Sequence, residues 1–314
     1  MLDAFSATLS AMLTMFCCIF VGFILRKKKL EPEDTDCVLS KLLNYALSPA
    51  LTFNTFFQNF NVQTITENYS LILYSCLLLV LAIALAGPLS RLFVKEGYVR
   101  NVYKYAIAFA NYGYMGNAIM LQIFGSEMLF FYMLFTIPMG MVCYSWGMAQ
   151  LIPGKKGFKG TIVRVLNPNT LAMVLGIVAG LLNLKDHTPV FLTNALTNLG
   201  NCMGPVAMVL TGYVVASYDM KKMLTNVKIY LATAIRLLIL PALYCAILLL
   251  LGANELILTL ALVAYATPLG LNTVVFPAAY GADTSTGAGM ALISHVLSVV
   301  TFPLMYALLT LFIH

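Results

Sequence analysis

Two amides and two glycines stand close together inside an apolar stretch. Asn111, Gly113, Gly116 and Asn117 fall within Ala108-Phe-Ala-Asn-Tyr-Gly-Tyr-Met-Gly-Asn-Ala-Ile-Met-Leu-Gln-Ile-Phe-Gly125. A plain lipid-spanning helix has no use for them there. An interrupted helix does, because its freed N–H and C=O groups need partners that amide and hydroxyl side chains supply. The N-terminus of a half-helix also offers N–H donors and the positive end of a dipole to an anion. A second stretch, Ala264-Tyr-Ala-Thr-Pro-Leu-Gly-Leu-Asn-Thr273, lies 156 residues further on and continues to Tyr280 and Gly281. Pro268 lacks an N–H and disrupts the helical ladder, with Thr267 before it and Gly270, Asn272 and Thr273 after it. Two such breaks, crossing near the membrane midplane, are expected to hold a carboxylate with neutral donors, Tyr112 among the first set. Close helix packing at Gly113 and Gly116 is the alternative reading of the glycines.

Four further residues are candidates. Asn44 and Asn201 precede Pro49 and Pro205, a pair again offset by 156 residues. They either bond locally at proline kinks or line the same cavity. Arg236 stands about ten residues into an apolar run, where a charge must face protein or water. It either snorkels to the cytoplasmic face, holds a structural partner or attracts an anion. His295 is the one group within a span that titrates near neutral pH, and reads as a buried histidine or a proton-coupling one. Trp146 and the many tyrosines read as packing and interface residues. No P-loop, HExxH or dinucleotide fingerprint is present, so neither an enzyme, a nucleotide-driven pump nor a cofactor is expected. Three scattered histidines and seven irregularly spaced cysteines make no metal site.

The elements that must position these residues follow from composition. The chain is 61% hydrophobic and 10% charged, against about 25% charged in soluble domains. Its apolar runs have the length of membrane helices, so the lipid bilayer is its surroundings. Ten spans are expected, near 4–26, 38–58, 69–93, 102–124, 127–151, 168–184, 191–217, 226–251, 255–280 and 286–313. Sixteen of the eighteen Lys and Arg residues fall in the loops after spans 1, 3, 5 and 7. The positive-inside rule places those loops in the cytoplasm and both termini outside, in the cell membrane. The net charge of +6 is therefore a topology signal and implies no nucleic-acid partner. Five spans per half is odd, so the halves run in opposite senses. The expected fold is an all-α membrane protein of two inverted five-helix repeats, 1–152 and 167–314, joined by a cytoplasmic linker over 153–166. Inverted repeats of this kind build secondary transporters with a midplane site.

The sequence resembles the auxin efflux carrier family, which includes bacterial malate and malonate permeases. The resemblance rests on Gly22-Phe-Ile-Leu-Arg-Lys, Leu42-Leu-Asn-Tyr-Ala-Leu-Ser-Pro-Ala-Leu-Thr-Phe53 and Asn111-Tyr-Gly-Tyr-Met-Gly116. It continues in Arg236-Leu-Leu-Ile-Leu-Pro241, in Ala266-Thr-Pro through Tyr280-Gly-Ala-Asp283, and in the helix containing 294–303. It implies the bile-acid-symporter-like arrangement and a bacterial-type carrier. Helices 1, 2, 6 and 7 would form a scaffold, often dimeric, and helices 3–5 and 8–10 a mobile transport domain in which helices 4 and 9 cross. The family usually has proline soon after the glycine of helix 4, where this chain has Asn117-Ala118. The expected function is elevator-type transport of small organic anions. A sodium-coupled symporter of the bile-acid type and a non-transporting sensor or scaffold are the alternatives.

Overall fold

The computed structural model describes residues 2–30, 32, 34–152, 167–218, 225–270, 272–278 and 282–313. The expected linker over 153–166, with Lys155, Lys156, Lys159 and Arg164, lies outside them. So do Lys221, Lys222, Tyr280 and Gly281. Among the described residues every regular element is helical. Helix α1 spans Leu2–Lys27, α2 Thr35–Leu42, α3 Ser48–Asn59, α4 Val62–Phe93, α5 Tyr98–Ala108, α6 Asn117–Val142 and α7 Met148–Leu151. In the second half α8 spans Pro168–Leu181, α9 Val190–Ala216, α10 Val227–Ala234, α11 Leu240–Leu250, α12 Glu255–Ala266, α13 Asn272–Ala278 and α14 Ser285–Ile313.

Among the described residues six helical runs are long and apolar enough to cross a membrane: Phe5–Lys27, Val62–Phe93, Tyr98–Leu151, Val190–Ala216, Val227–Leu250 and Ser285–Ile313. Pro168–Leu181 and Glu255–Ala266 are shorter apolar helices. The sequence expectation of separate spans over 102–124 and 127–151 meets a single apolar run here. It bends at 109–111 and at Gly125, whose φ of +84° only glycine adopts readily.

Among the described residues four π-helical turns interrupt the helices, at Leu43–Leu47, Tyr112–Gly116, Cys143–Gly147 and Ile235–Ile239. Two of them stand just before a proline, Pro49 and Pro241. In a regular helix the proline ring collides with the carbonyl four residues back. That residue is Tyr45 or Leu237, and each lies in the widened turn. The extra residue gives the ring its space without ending the helix.

Small residues set which helices touch. A methyl group on Gly22 would overlap the Val209 carbonyl, and one on Gly212 would overlap the Ile19 carbonyl. The backbones of α1 and α9 therefore meet directly at two levels. Gly176 and Gly180 do the same for α8, against the Phe53 and Phe60 carbonyls at the foot of α3. Such contacts suit a membrane, where close packing rather than apolar burial holds helices together. The core centres instead on α5, α6 and α12, where every residue from Ile257 to Ala266 is buried.

Candidate functional site

The first break begins where α5 ends. Phe109 turns to extended backbone (φ −124°, ψ 138°), and the chain re-enters a helix through Asn111. The Asn111 carbonyl accepts from the Met115 N–H at 3.1 Å and the Gly116 N–H at 3.0 Å, which forms the π turn leading into α6. Tyr132, one level along α6, reaches back and donates its hydroxyl to the Tyr112 carbonyl at 3.0 Å. Its ring passes over Gly116, where any side chain would overlap the hydroxyl.

The second break follows α12. Thr267 is extended (φ −68°, ψ 151°), and α13 starts at Asn272. The intervening backbone finds partners on three sides. The Leu269 N–H donates to Ser294 Oγ at 3.0 Å. The Gly270 carbonyl accepts from Thr273 Oγ1 at 3.1 Å. The Pro268 carbonyl accepts from the Asn111 N–H at 2.7 Å. That last bond ties the two breaks together. A methyl group on Gly270 would lie 3.5 Å from the Asn111 Cα, so the chains cross in contact.

A cavity of about 280 Å³ opens against this crossing. The breaks give it Asn111, Tyr112, Gly113, Tyr114, Gly270 and Asn272, and the start of α6 gives Asn117. Ser48, Thr52 and Phe56 of α3 face them, with Asn167, Asn169 and Thr170 from the start of α8. Asn167 caps α8, its Oδ1 accepting from the Thr170 N–H at 3.0 Å, and Asn169 Nδ2 donates to Ser48 Oγ at 2.8 Å. Among the described residues none of those lining the cavity is charged. Its polarity comes from amides, hydroxyls and the N-terminal end of α6, and Phe56, Met133, Ile137 and Met173 supply an apolar wall.

Three amides define the polar side. Asn111 is 3% exposed and its Nδ2 has no hydrogen-bond partner. Asn117 is 8% exposed and lines the cavity at the start of α6. Asn272 is held: its Nδ2 donates to the Tyr105 hydroxyl at 3.0 Å and lies 3.8 Å from Cys143 Sγ. Tyr105 and Cys143 in turn share a hydrogen bond of 3.1 Å.

A second cavity, of about 210 Å³, adjoins the first and includes Ser40, Asn44, Tyr45, Leu210 and Phe276. Tyr114, Tyr144, Asn167, Asn169 and Asn272 line both, so they form the wall between the two. The Tyr114 hydroxyl donates to Asn44 Oδ1 at 2.7 Å, bonding the first break to the π turn ahead of α3. The same Asn44 donates from Nδ2 to the Ser40 carbonyl at 2.8 Å. Asn44 thus makes the local bond expected at a proline kink and lines the adjoining cavity, not the one at the crossing.

The structure separates the other candidates. Gly116 lies under the Tyr132 hydroxyl and does not line the cavity. Thr267, Pro268 and Thr273 shape the second break from behind it, Thr267 and Thr273 fully buried. Asn201 is a correction: it is exposed on α9, because Gly200 and Gly204 take the inward face of that helix. No π turn precedes Pro205, so the matching asparagine is not turned inward as Asn44 is. Arg236 does not snorkel; it is 3% exposed and donates from Nη1 to the Tyr265 carbonyl at 2.5 Å. His295 is buried, with Nδ1 2.7 Å from the Ala291 carbonyl. Neither lines the cavity.

Tyrosine is the second correction. Tyr114 and Tyr144 were expected to be packing residues and instead line the site, beside Tyr112, which was expected there. The signal that could have found them is their place in π turns, which composition does not reveal. Asn167 and Asn169 were also missed, although Asn-Pro-Asn-Thr is a helix-start pattern with asparagine at the cap and proline in the first turn.

No curated protein matches the chain. The family of membrane transport proteins matches it over residues 7–159 and again over residues 158–306. With several helices apolar enough to cross a bilayer and a neutral cavity at the crossing of two broken ones, the chain is a multi-pass membrane protein and belongs to the auxin efflux carrier family of membrane transport proteins.

Proposed function

We propose that this transporter carries small organic anions bearing a carboxylate, held at the crossing of the two breaks. The observation that carries this reading is Asn111 Nδ2, a buried donor without a partner, in the cavity wall at the N-terminal end of α6. A donor there, the dipole of the following helix and the Asn117 carboxamide favour negative charge with no cation in the cavity wall. Neutral donors bind an anion weakly enough to let it go. The apolar wall of Phe56, Met133 and Ile137 suits a short carbon skeleton.

The same reading takes the chain as ten spans in two inverted repeats. Tyr98–Leu151 supports it, since 54 residues would reach about 80 Å as one helix, more than twice the hydrocarbon thickness. Gly125 is where it turns back. The direct backbone contacts of α1 with α9 and of α3 with α8 support a scaffold made of helices 1, 2, 6 and 7. Through it a homodimer would form while the remaining helices move, elevator-fashion, with both termini outside. Purified protein in liposomes should take up a labelled mono- or dicarboxylate. Asn111→Ala and Asn272→Ala should each lower uptake about tenfold, the loss of a hydrogen bond to a charged group. Unchanged uptake by both variants would remove this site.

A further inference from the structure

One charged side chain is buried among the described residues, and it sits at the crossing. Arg236 belongs to the π turn Ile235–Ile239, which widens ahead of Pro241. Its Nη1 meets the Tyr265 carbonyl, next to the last residue of α12, immediately before the second break. Nε and Nη2 make no hydrogen bond, and no described carboxylate pairs with the guanidinium. Two of its three nitrogens are therefore idle. What the helix end receives is chiefly positive charge, set against roughly half a negative charge at a helix C-terminus.

That position has a meaning in carriers built from broken helices. There the unwound carbonyls and the C-terminal ends of half-helices hold the coupling cation. In this chain the same kinds of oxygen are already engaged. Tyr265 O takes Arg236, Pro268 O takes the Asn111 N–H and Gly270 O takes Thr273. We infer that Arg236 is a built-in cation at the crossing, standing where a sodium-coupled carrier would place its ion. This rests on the transport reading and adds to it that the cycle needs no sodium.

Melting of the purified protein without substrate, in sodium chloride and in N-methyl-D-glucamine chloride of equal strength, tests it. The wild-type melting temperature should be the same in both. Arg236→Ala should melt lower, and either millimolar guanidinium or sodium should bring it back toward wild type, which itself does not respond. Arg236→Lys keeps the charge and should need no added ion. In liposomes Arg236→Ala should lose about tenfold in carboxylate uptake, equivalent to roughly 1.4 kcal/mol, and recover with the same ions. Sodium-dependent melting or uptake of the wild type overturns the inference. So does a folded Arg236→Ala protein that no cation restores. If melting behaves as expected but no carboxylate moves in any variant, the transport reading fails and the built-in cation stands.

Discussion

Asn272 shows how much a single side chain depends on those behind it. Its amide nitrogen is committed to Tyr105, and Tyr105 to Cys143, so its orientation in the cavity is fixed from outside the cavity. Tyr105→Phe frees the carboxamide to turn and should weaken carboxylate binding about fivefold, one hydrogen bond of about 1 kcal/mol. Isothermal titration of the variant against wild type reads that directly. Gly116 depends on its neighbour in the opposite sense. Gly116→Ala should lower stability by about 1–3 kcal/mol, because the methyl group displaces Tyr132. Combined with Tyr132→Phe, the loss should be smaller than the sum of the two, since the overlapping atom is the hydroxyl. Much at this scale was legible in the sequence. Asn111, Asn117 and Asn272 stood out because an amide in an apolar run has to be explained. Tyr114 and Tyr144 did not, because tyrosine is at home in a membrane protein, and only the local turn decides which way its hydroxyl points.

Among the elements, the breaks announced themselves through glycine and proline, and the π turns did not. Pro49 and Pro205 occupy matching places, yet one follows a widened turn and the other sits in an unbroken helix. A motif of seven residues does not encode that difference; the packing of α9 against α1 through glycine does. Gly212→Val should break this contact and lower the melting temperature, by analogy with overpacking elsewhere at about 1–3 kcal/mol. Gly87→Ala is the control, since a methyl group there meets nothing within 4 Å. The kink within Tyr98–Leu151 falls at Gly125, in the gap between the expected spans 102–124 and 127–151. The start of α8 falls at residue 168, where the sixth span was expected to begin, but nothing in the sequence marked Asn169 as facing Ser48.

For the whole molecule, the distribution of basic residues remains the most telling sequence feature. If the loops after spans 1, 3, 5 and 7 face the cytoplasm, exposed Cys37 lies on that side. An impermeant maleimide outside intact cells should leave Cys37 unlabelled, while a tag on the C-terminus is open to protease from outside. Labelling of Cys37 from outside would reverse the topology. The buried guanidinium of Arg236 has a consequence at this scale as well. On the proposed elevator movement it would ride on a moving helix and cross the field with or without cargo. A bound monocarboxylate would then cancel that buried charge, and an empty transport domain would carry it alone. Full passage of that charge is worth about 2.3 kcal/mol per 100 mV. The membrane voltage would leave the loaded stroke nearly untouched and act on the empty return, drawing the vacant site toward the negative cytoplasm to be filled there.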